Sequence, residues 1–183
     1  ASVSGGSEAS NFYFGAGYYG QEGVIPKSGF NRFSGKLNLG FSLSEHVDIG
    51  IDLTASFTNK DNAPGVVNTA LRAWPIQEPF LEDGTTFAEI NGGNALATIE
   101  FTNSNTKRLA GIGNIYANIR FLEHFSFKTS LQTDIAEAKT RSFTPVFFVG
   151  PLQQNEINNL SYGAGSNFTY ITENTLTFDQ QLG

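Results

Sequence analysis

The chain has 183 residues, which is enough for one domain with a sizeable core. It carries 17 acidic and 11 basic residues and a formal net charge of −6, which argues against a nucleic-acid partner bound through its phosphates. No run of about 18 or more apolar residues is present, so a transmembrane helix is excluded. Cysteine and methionine are both absent, and the missing start methionine predicts a mature product or a piece of something longer.

Alternating apolar and polar side chains predict an all-β protein with seven strands and no helix of ten or more residues. In chain order the predicted strands are residues 1–6, 11 to about 21, two within 33–57, 107–121, 125 to about 138, and about 167–180.

The clearest alternation lies in residues 33–57, FSGKLNLGFSLSEHVDIGIDLTASF. It breaks briefly at Glu45 and His46 and then resumes, so it predicts a hairpin with one apolar and one polar face. The apolar face touches either the core of a soluble sandwich or lipid, and alternation alone does not decide between them.

The connections between the predicted strands alternate in length. Tight turns at residues 7–10, 44–46 and 122–124 alternate with long connections at about 22–31, 60–106 and 139–166. In an up-and-down antiparallel sheet this order places all tight turns at one end and all long loops at the other. That asymmetry is typical of outer-membrane barrels, whereas a sandwich usually mixes loop lengths at both ends. Strands of about 11 to 15 residues exceed the usual globular length of about 5 to 6 and suffice for the roughly 9 to 11 tilted residues that cross a bilayer.

The polar faces of these strands supply a first set of candidate functional residues. In a large barrel they form the lumen-facing wall, and on a soluble sheet they face solvent. A paired-carboxylate site is a further alternative for two acidic members on one face, Asp48 and Asp52. The whole set comprises Lys36, Asn38, Asp48, Asp52, Asn114, Arg120, Lys128 and Asp134.

Aromatic residues near strand ends predict girdles at the membrane interfaces, with bulk on a lipid-facing surface as the alternative. They are Tyr18, Tyr19, Phe30, Phe33, Phe121 and Phe125.

The longest connection supplies a second candidate group. Arg72, Trp74, Asp83 and Glu89 combine an aromatic ring with charged neighbours, and such a group could contact a ligand or a partner. For Trp74, which lies in a proline-rich segment, the alternative is a hydrophobic anchor that holds the loop folded.

No catalytic constellation is present, and no metal or cofactor site is predicted. His46 and His124 both follow Glu in short turns, where polar turn residues are expected. Gly15, Gly17 and Gly20 form a GxGxxG string inside an aromatic strand with no helix after it. Close backbone packing is therefore expected there rather than a dinucleotide site.

Residues 11–56, NFYFGAGYYGQEGVIPKSGFNRFSGKLNLGFSLSEHVDIGIDLTAS, resemble the barrel of SusC/RagA-type TonB-dependent outer-membrane transporters. In that family a GY-x-x-Q-G-[IV]-like strand end leads into an SGF-x-R-[FY]-S turn. ALRAWPIQEPFLEDGT resembles an extracellular loop of the family, and GNIYANIRFLEHFSFKTSLQTD and ENTLTFDQQLG resemble its later strands. The residues that match the first pattern are Gly17, Tyr18, Gln21, Gly23, Val24, Ser28, Gly29, Phe30, Arg32, Phe33 and Ser34.

The resemblance implies that residues 1–183 are part of one transmembrane β-barrel domain, with about seven of roughly 22 antiparallel strands. The plug domain, the remaining strands and the segment that contacts TonB are then expected outside this chain. Implied partners are outer-membrane lipid, the rest of the barrel, TonB through the plug, and a SusD-like surface lipoprotein.

The function implied by the resemblance is active import of a nutrient, such as an oligosaccharide or peptide, across the outer membrane of a Gram-negative bacterium of the Bacteroidetes type. No covalent chemistry is expected, so the protein is not predicted to be an enzyme. Two alternatives stay open, a soluble β-sandwich that binds a ligand such as carbohydrate and a passive porin-like barrel.

Overall fold

Seven long antiparallel strands form one sheet whose order follows the chain. The computed structural model describes residues 1–180; the family-like segment ENTLTFDQQLG therefore has its last three residues outside the described part. The order is β1-β2-β3-β4-β5-β6-β9, and β7 and β8 pair as a separate small hairpin. The strands are β1 Ser2–Gly6, β2 Ser10–Glu22, β3 Gly29–Ser44, β4 Val47–Asp61, β5 Asn103–Phe121, β6 Phe125–Thr144, β7 Phe147–Gly150, β8 Gln153–Asn155 and β9 Asn159–Phe178.

The predicted all-β, up-and-down antiparallel sheet is confirmed, and its two ends differ as the connection lengths predict. The tight turns join β1 to β2, β3 to β4 and β5 to β6. In the last of these, Leu122 and Glu123 have φ of 51° and 55°, the left-handed backbone whose twist suits a tight hairpin. The long connections, residues 23–28, 62–102 and 145–158, lie together at the opposite end.

The predicted strand limits at the long-loop end are wrong, because the strands run further than the apolar alternation does. β6 continues to Thr144 rather than about residue 138, and β9 begins at Asn159 rather than about residue 167. Backbone pairing does not require apolar side chains, and polar side chains reinforce it here. The Nδ2 atom of Asn105 donates to Oδ1 of Asn59 at 2.9 Å and to Oδ1 of Asp61 at 2.8 Å across β4 and β5.

The register gives the sheet one apolar and one polar face. Leu39 pairs with Ile51, which pairs with Ile115 and then Leu131, whereas the neighbouring row joins polar residues from Asn38 to Gln132. Neither face is covered: within residues 1–180, the only buried positions of the seven-stranded sheet are Gly15 and Gly50. Large apolar side chains are open instead, with Ile115 56% and Phe168 63% exposed. A sandwich would pack a second sheet about 10 Å away over this face.

The only buried apolar side chains in the described residues lie in the long-loop end rather than in the sheet. They are Pro64, Val66, Ala97 and Ile99. The loop at residues 62–102 contains two short helices, α1 at Val67–Arg72 and α2 at Ala95–Phe101, so it is more regular than its sequence suggested. Over residues 1–180, no helix combines the length and apolarity needed to cross a membrane.

Candidate functional site: the polar face and the loop cluster

The eight polar residues predicted from the alternation lie together on one face of the sheet. Asn38, Asp52 and Asn114 occupy one cross-strand row, and Asp48 lies in the row that continues through residue 118 to Lys128. The remaining members of the set share the same face because they occupy even-numbered positions on β3, β5 and β6; they are Lys36, Arg120 and Asp134. Their role as a lumen wall stays a prediction.

Asp48 and Asp52 have separate partners, which argues against a paired-carboxylate site formed by these two residues. Nη1 of Arg120 donates to Oδ2 of Asp48 at 2.7 Å, and Nε and Nη2 of Arg120 donate to the carbonyl oxygen of Glu45 at 3.3 and 3.2 Å. Nδ2 of Asn38 donates to Oδ1 of Asp52. Through its bonds to the Glu45 carbonyl oxygen, Arg120 orients the short turn. The Arg120–Asp48 ion pair itself contributes little stability because it is partly exposed.

Tyrosine rings cover glycines on the polar face. The Tyr116 ring occupies the space that a Cβ atom on Gly50 would need, and Nζ of Lys128 lies 5.6 Å from the centre of that ring. Tyr13 covers Gly15 in the same way, with its hydroxyl oxygen 2.8 Å from an ideal Cβ position. This agrees with the close packing expected for the GxGxxG string, whose three glycines all lie inside β2.

The predicted aromatic girdles are only partly consistent with the structure. Phe121 and Phe125 stack at 5.6 Å on the apolar face beside the short turn, and Tyr18 and Phe33 lie 4.8 Å apart on the same face near the long loops. Tyr19 and Phe30 point to the polar face because each is an odd number of residues away from its neighbour in that pair, one from Tyr18 and three from Phe33. Placing these two in a girdle was therefore wrong.

The role of the predicted loop group as a contact for a ligand or partner stays a prediction. Within residues 1–180, no hydrogen bond or ion pair joins any two of Arg72, Trp74, Asp83 and Glu89. Trp74 is 65% exposed, so the hydrophobic-anchor interpretation is wrong. Glu89 lies against Gly150 of β7, with its carboxyl carbon 2.5 Å from an ideal Cβ position there.

Asp83 organises its own turn. Its Oδ1 atom accepts from the backbone N–H groups of Thr85 and Thr86 at 2.8 Å each, and Oδ2 accepts from the Thr86 hydroxyl at 2.5 Å. These bonds lower the pKa of Asp83 to about 2, chiefly through the Thr86 hydroxyl. Asp83 therefore has a local structural role, and its contact with a ligand or partner stays a prediction.

Asn94 is the buried centre of the long-loop end. Its side chain is fully enclosed, and Nδ2 donates to the carbonyl oxygens of Pro79 at 2.7 Å and Ala88 at 2.9 Å. Its Oδ1 atom accepts from the backbone N–H groups of Leu96 and Ala97, which caps the start of α2. One side chain thus closes the loop and begins the helix.

The three long connections are joined into one unit, which we call the loop cluster and define as residues 23–28, 62–102 and 145–158. Gln153 of the last connection accepts from the Asn94 backbone N–H at 2.7 Å and donates to the Asn94 carbonyl oxygen at 2.9 Å. Lys27 of the first connection pairs with Glu100 of α2 at 2.6 Å. Phe101 of α2 stacks on Phe147 at 4.4 Å with parallel rings.

Sequence reasoning missed Asn94 and Gln153. A signal for Asn94 was available, because Asn directly before the helical run ALATIEF is a typical N-cap. Gln153 carries no comparable local signal, since its partner lies 59 residues away. In the described residues no group of His, Asp and Glu is arranged to hold a metal ion.

Comparison with known proteins gives a consistent result. The chain is 25% identical over 187 residues to TonB-dependent receptor P26 of Formosa agariphila, covering 100% of this chain and 19% of the relative. It is 26% identical over 145 residues to TonB-dependent receptor P39 of the same organism, covering 78% of this chain and 14% of the relative. The chain thus spans about a fifth or less of the length of these relatives. No protein-family model matches it.

Solved structures with the same fold include a chain of the RagAB peptide transporter. It superimposes with a TM-score of 0.81 at 20% identity, covering 100% of this chain and 22% of that one. A chain of the RagAB peptide importer in its closed-closed state gives a TM-score of 0.80 at 18% identity, with the same coverage. The fold is therefore that of part of a transporter β-barrel, and the barrel is not closed by these strands.

The resemblance to SusC/RagA-type TonB-dependent transporters is confirmed. The whole chain is similar to part of TonB-dependent receptors, and it has the fold of part of a RagAB transporter chain.

Proposed function

We propose that this chain is a barrel segment of a TonB-dependent active importer of the SusC type in a bacterial outer membrane. The observation that carries the proposal is the uniform two-faced sheet, whose apolar face is uncovered along all its long strands. Strands β3 to β6 have 15 to 20 residues, which exceeds the roughly 9 to 11 needed to cross the hydrocarbon core. Lipid is the partner that such a face fits.

The two ends of the sheet suggest an orientation. Outer-membrane barrels have short periplasmic turns and longer extracellular loops, so we assign the loop cluster to the extracellular side. The polar face then lines the lumen, with Lys36, Asp52, Asn114 and Asp134 among its wall residues.

The two edge strands indicate what else the transporter requires. Within residues 1–180, β1 pairs only with β2 and β9 only with β6, so each leaves one edge open. Open edges are not tolerated in hydrocarbon, and strands outside this chain are therefore expected to close the barrel. The plug and the TonB-contacting segment belong to the same missing part, in line with the small share of the relatives that this chain spans.

The cargo is a nutrient, such as a peptide or an oligosaccharide, delivered with a SusD-like surface lipoprotein. The similar solved structures are described as a peptide importer and a peptide transporter, which favours the peptide class. The relatives are receptors and transporters rather than enzymes, and the barrel contributes walls and loops without covalent chemistry.

The first test uses the full-length protein that carries this chain. It should fractionate with the outer membrane and need detergent for extraction, and nutrient uptake should stop when the proton-motive force is collapsed. Recovery in the aqueous fraction without detergent would reject the barrel. Uptake that survives collapse of the proton-motive force would reject active import in favour of a passive porin.

The second test is a charge scan in the refolded full-length protein. Leu39→Arg and Ile51→Arg should each destabilise it by about 2 to 4 kcal/mol, because each buries a cation in lipid. Thr54→Arg, on the opposite face of the same strand as Ile51, is the matched control and should cost far less. Denaturant unfolding in lipid vesicles measures both, and equal costs on the two faces would contradict the assignment.

A further inference from the structure

The apolar face ends in a cationic patch next to the loop cluster. Along β5, the outward positions change from Leu109 to Lys107, which lies directly opposite Lys139 of β6. One step further towards the loops, Arg141 of β6 lies opposite Tyr162 of β9. We call Lys107, Lys139, Arg141 and Tyr162 the basic patch. They line a groove of about 450 Å³ together with Asn59, Asp61 and Asn105.

The positive charge of the basic patch is only partly balanced. Lys139 forms an ion pair with Glu137 at 2.5 Å, but in the described residues neither Lys107 nor Arg141 forms one. The acidic residue of the groove, Asp61, accepts a hydrogen bond from Asn105. Two lysines opposite each other repel, which disfavours the pairing unless an anion lies between them. The concentration of cations contrasts with the overall charge of −6.

The position of the basic patch restricts which kind of anion can bind between its cations. The patch continues the face that we assign to lipid, on the side that we assign to the outer leaflet. Tyr162 is 61% exposed there, and a tyrosine at a membrane interface keeps its ring in the apolar layer and its hydroxyl in the polar layer. The anionic headgroup of a lipid lies at this border between the apolar and polar layers, so it contacts the basic patch directly, whereas a soluble anion has no such preference for the border.

We infer that the basic patch binds the phosphate groups of an anionic outer-leaflet glycolipid, an inference that rests on the proposed outer-membrane location. Arg141 supplies a planar fork that fits phosphate oxygens in pairs, and Lys107 and Lys139 supply point charges beside it. Clusters of lysine and arginine at a membrane border recognise anionic headgroups in this way. The acyl chains of the same lipid then cover the neighbouring apolar rows.

The test compares two triple variants of the full-length protein in detergent, by native mass spectrometry with added bisphosphorylated lipid A. The first variant is Lys107→Gln with Lys139→Gln and Arg141→Gln. The second, Arg32→Gln with Lys60→Gln and Arg108→Gln, removes the same charge from the polar face of β3, β4 and β5. Affinity should fall on the order of 100-fold in the first variant, since each cation near an anionic lipid contributes about a factor of five. In the second it should stay close to wild type.

Three outcomes would overturn the inference. They are equal losses in the two variants, equal binding of wild-type protein to dephosphorylated lipid A, and displacement of the lipid by millimolar inorganic phosphate. Where the first triple variant does not refold, Arg141→Gln alone must weaken binding, and unchanged binding in a folded Arg141→Gln protein also overturns it. If the protein inserts into bilayers but binds lipid A independently of the basic patch, only this inference is refuted. If the protein is extracted without detergent, the proposed function is refuted.

Discussion

The sheet and the loop cluster are stabilised in different ways. In the loop cluster Asn94, Ala97 and Ile99 are buried, and hydrogen bonds and stacked rings connect segments far apart in sequence. In the sheet the large apolar side chains remain open, and Ile115 is 56% exposed although it lies at the centre of β5. The loop cluster therefore has a small core of its own, whereas the sheet depends on surroundings that cover its apolar face.

The contrast has a functional meaning under the proposed function. A rigid loop cluster on a barrel wall can present fixed groups to an incoming ligand or a surface partner, as loops held by a scaffold commonly do. The exposed residues Leu71, Trp74 and Ile76 lie on this cluster. In the proposed importer the sheet would instead supply a continuous wall, with its polar face towards the cargo path.

The largest effect that separates the two regions is expected from Asn94→Leu. The change leaves the carbonyl oxygens of Pro79 and Ala88 and the first N–H groups of α2 without their buried partner. We expect a local loss of about 3 kcal/mol in the loop cluster, because each unsatisfied buried group costs about 1 to 3 kcal/mol and the site relaxes partly. Hydrogen exchange should accelerate at residues 79–102 and remain unchanged in β3 and β4.

Asn91→Leu is the matched control, since Asn91 is an exposed residue three positions before Asn94. It should leave exchange in both regions unchanged. If Asn94→Leu accelerated exchange in the strands as much as in the loops, the two regions would form one cooperative unit and the contrast would fail.

A smaller effect on the sheet is expected from Gly50→Val. The new side chain takes the space of the Tyr116 ring, which must leave its place beside Lys128. Overpacking of this kind costs about 1 to 3 kcal/mol. Denaturant unfolding in lipid vesicles should show the loss, while the loop cluster keeps its exchange protection.

Gly35→Ala is the control for this substitution, because a Cβ atom at Gly35 meets only a backbone oxygen 4.0 Å away. It should be tolerated. If Gly50→Val were equally harmless, the tyrosine-over-glycine packing would have no role in fixing the polar face.

Gln153→Ala should produce a loss of about 1 to 2 kcal/mol confined to the contact between two connections. The substitution removes the bonds from Gln153 to the backbone of Asn94 and to the Thr98 hydroxyl. Exchange should accelerate at residues 145–158 more than at residues 62–93. Gln154→Ala alters an exposed neighbour and serves as the control, and identical exchange in the two variants would show that Gln153 does not hold the connections together.

The regular part of the fold was predictable because its information is periodic. Leu39 and Ile51 repeat an alternation that any two-faced strand requires, so the sheet, its faces and the order of its connections follow from the sequence. The ends of β6 and β9 did not follow, because polar residues in a strand resemble loop residues. Trp74 shows the same limit for loops: an apolar side chain predicts burial on average, but its exposure depends on contacts that sequence spacing does not encode.

The loop cluster was less predictable because single residues with distant partners create it. Asn94 and Gln153 meet across 59 positions, and no period links them. The eight polar-face residues share a face as predicted, yet their contacts, such as Arg120 with Asp48, connect strands through a register that only the folded sheet defines.

The smallest effect we predict is a pH dependence confined to the turn at residues 81–86. The hydrogen bonds from Thr85 and Thr86 depress the pKa of Asp83 from 3.8 to about 2 in the folded turn. A pKa that is lower in the folded state adds stability. This stability is fully present above the pKa of the unfolded state and is lost as the pH falls through the pKa of the folded state. The turn should therefore loosen between about pH 4 and pH 2, and carboxyl NMR shifts of Asp83 should follow the same titration. Asp83→Asn should remove this dependence, whereas a midpoint near 3.8 in the wild-type protein would show that the carboxylate accepts no such bonds in solution.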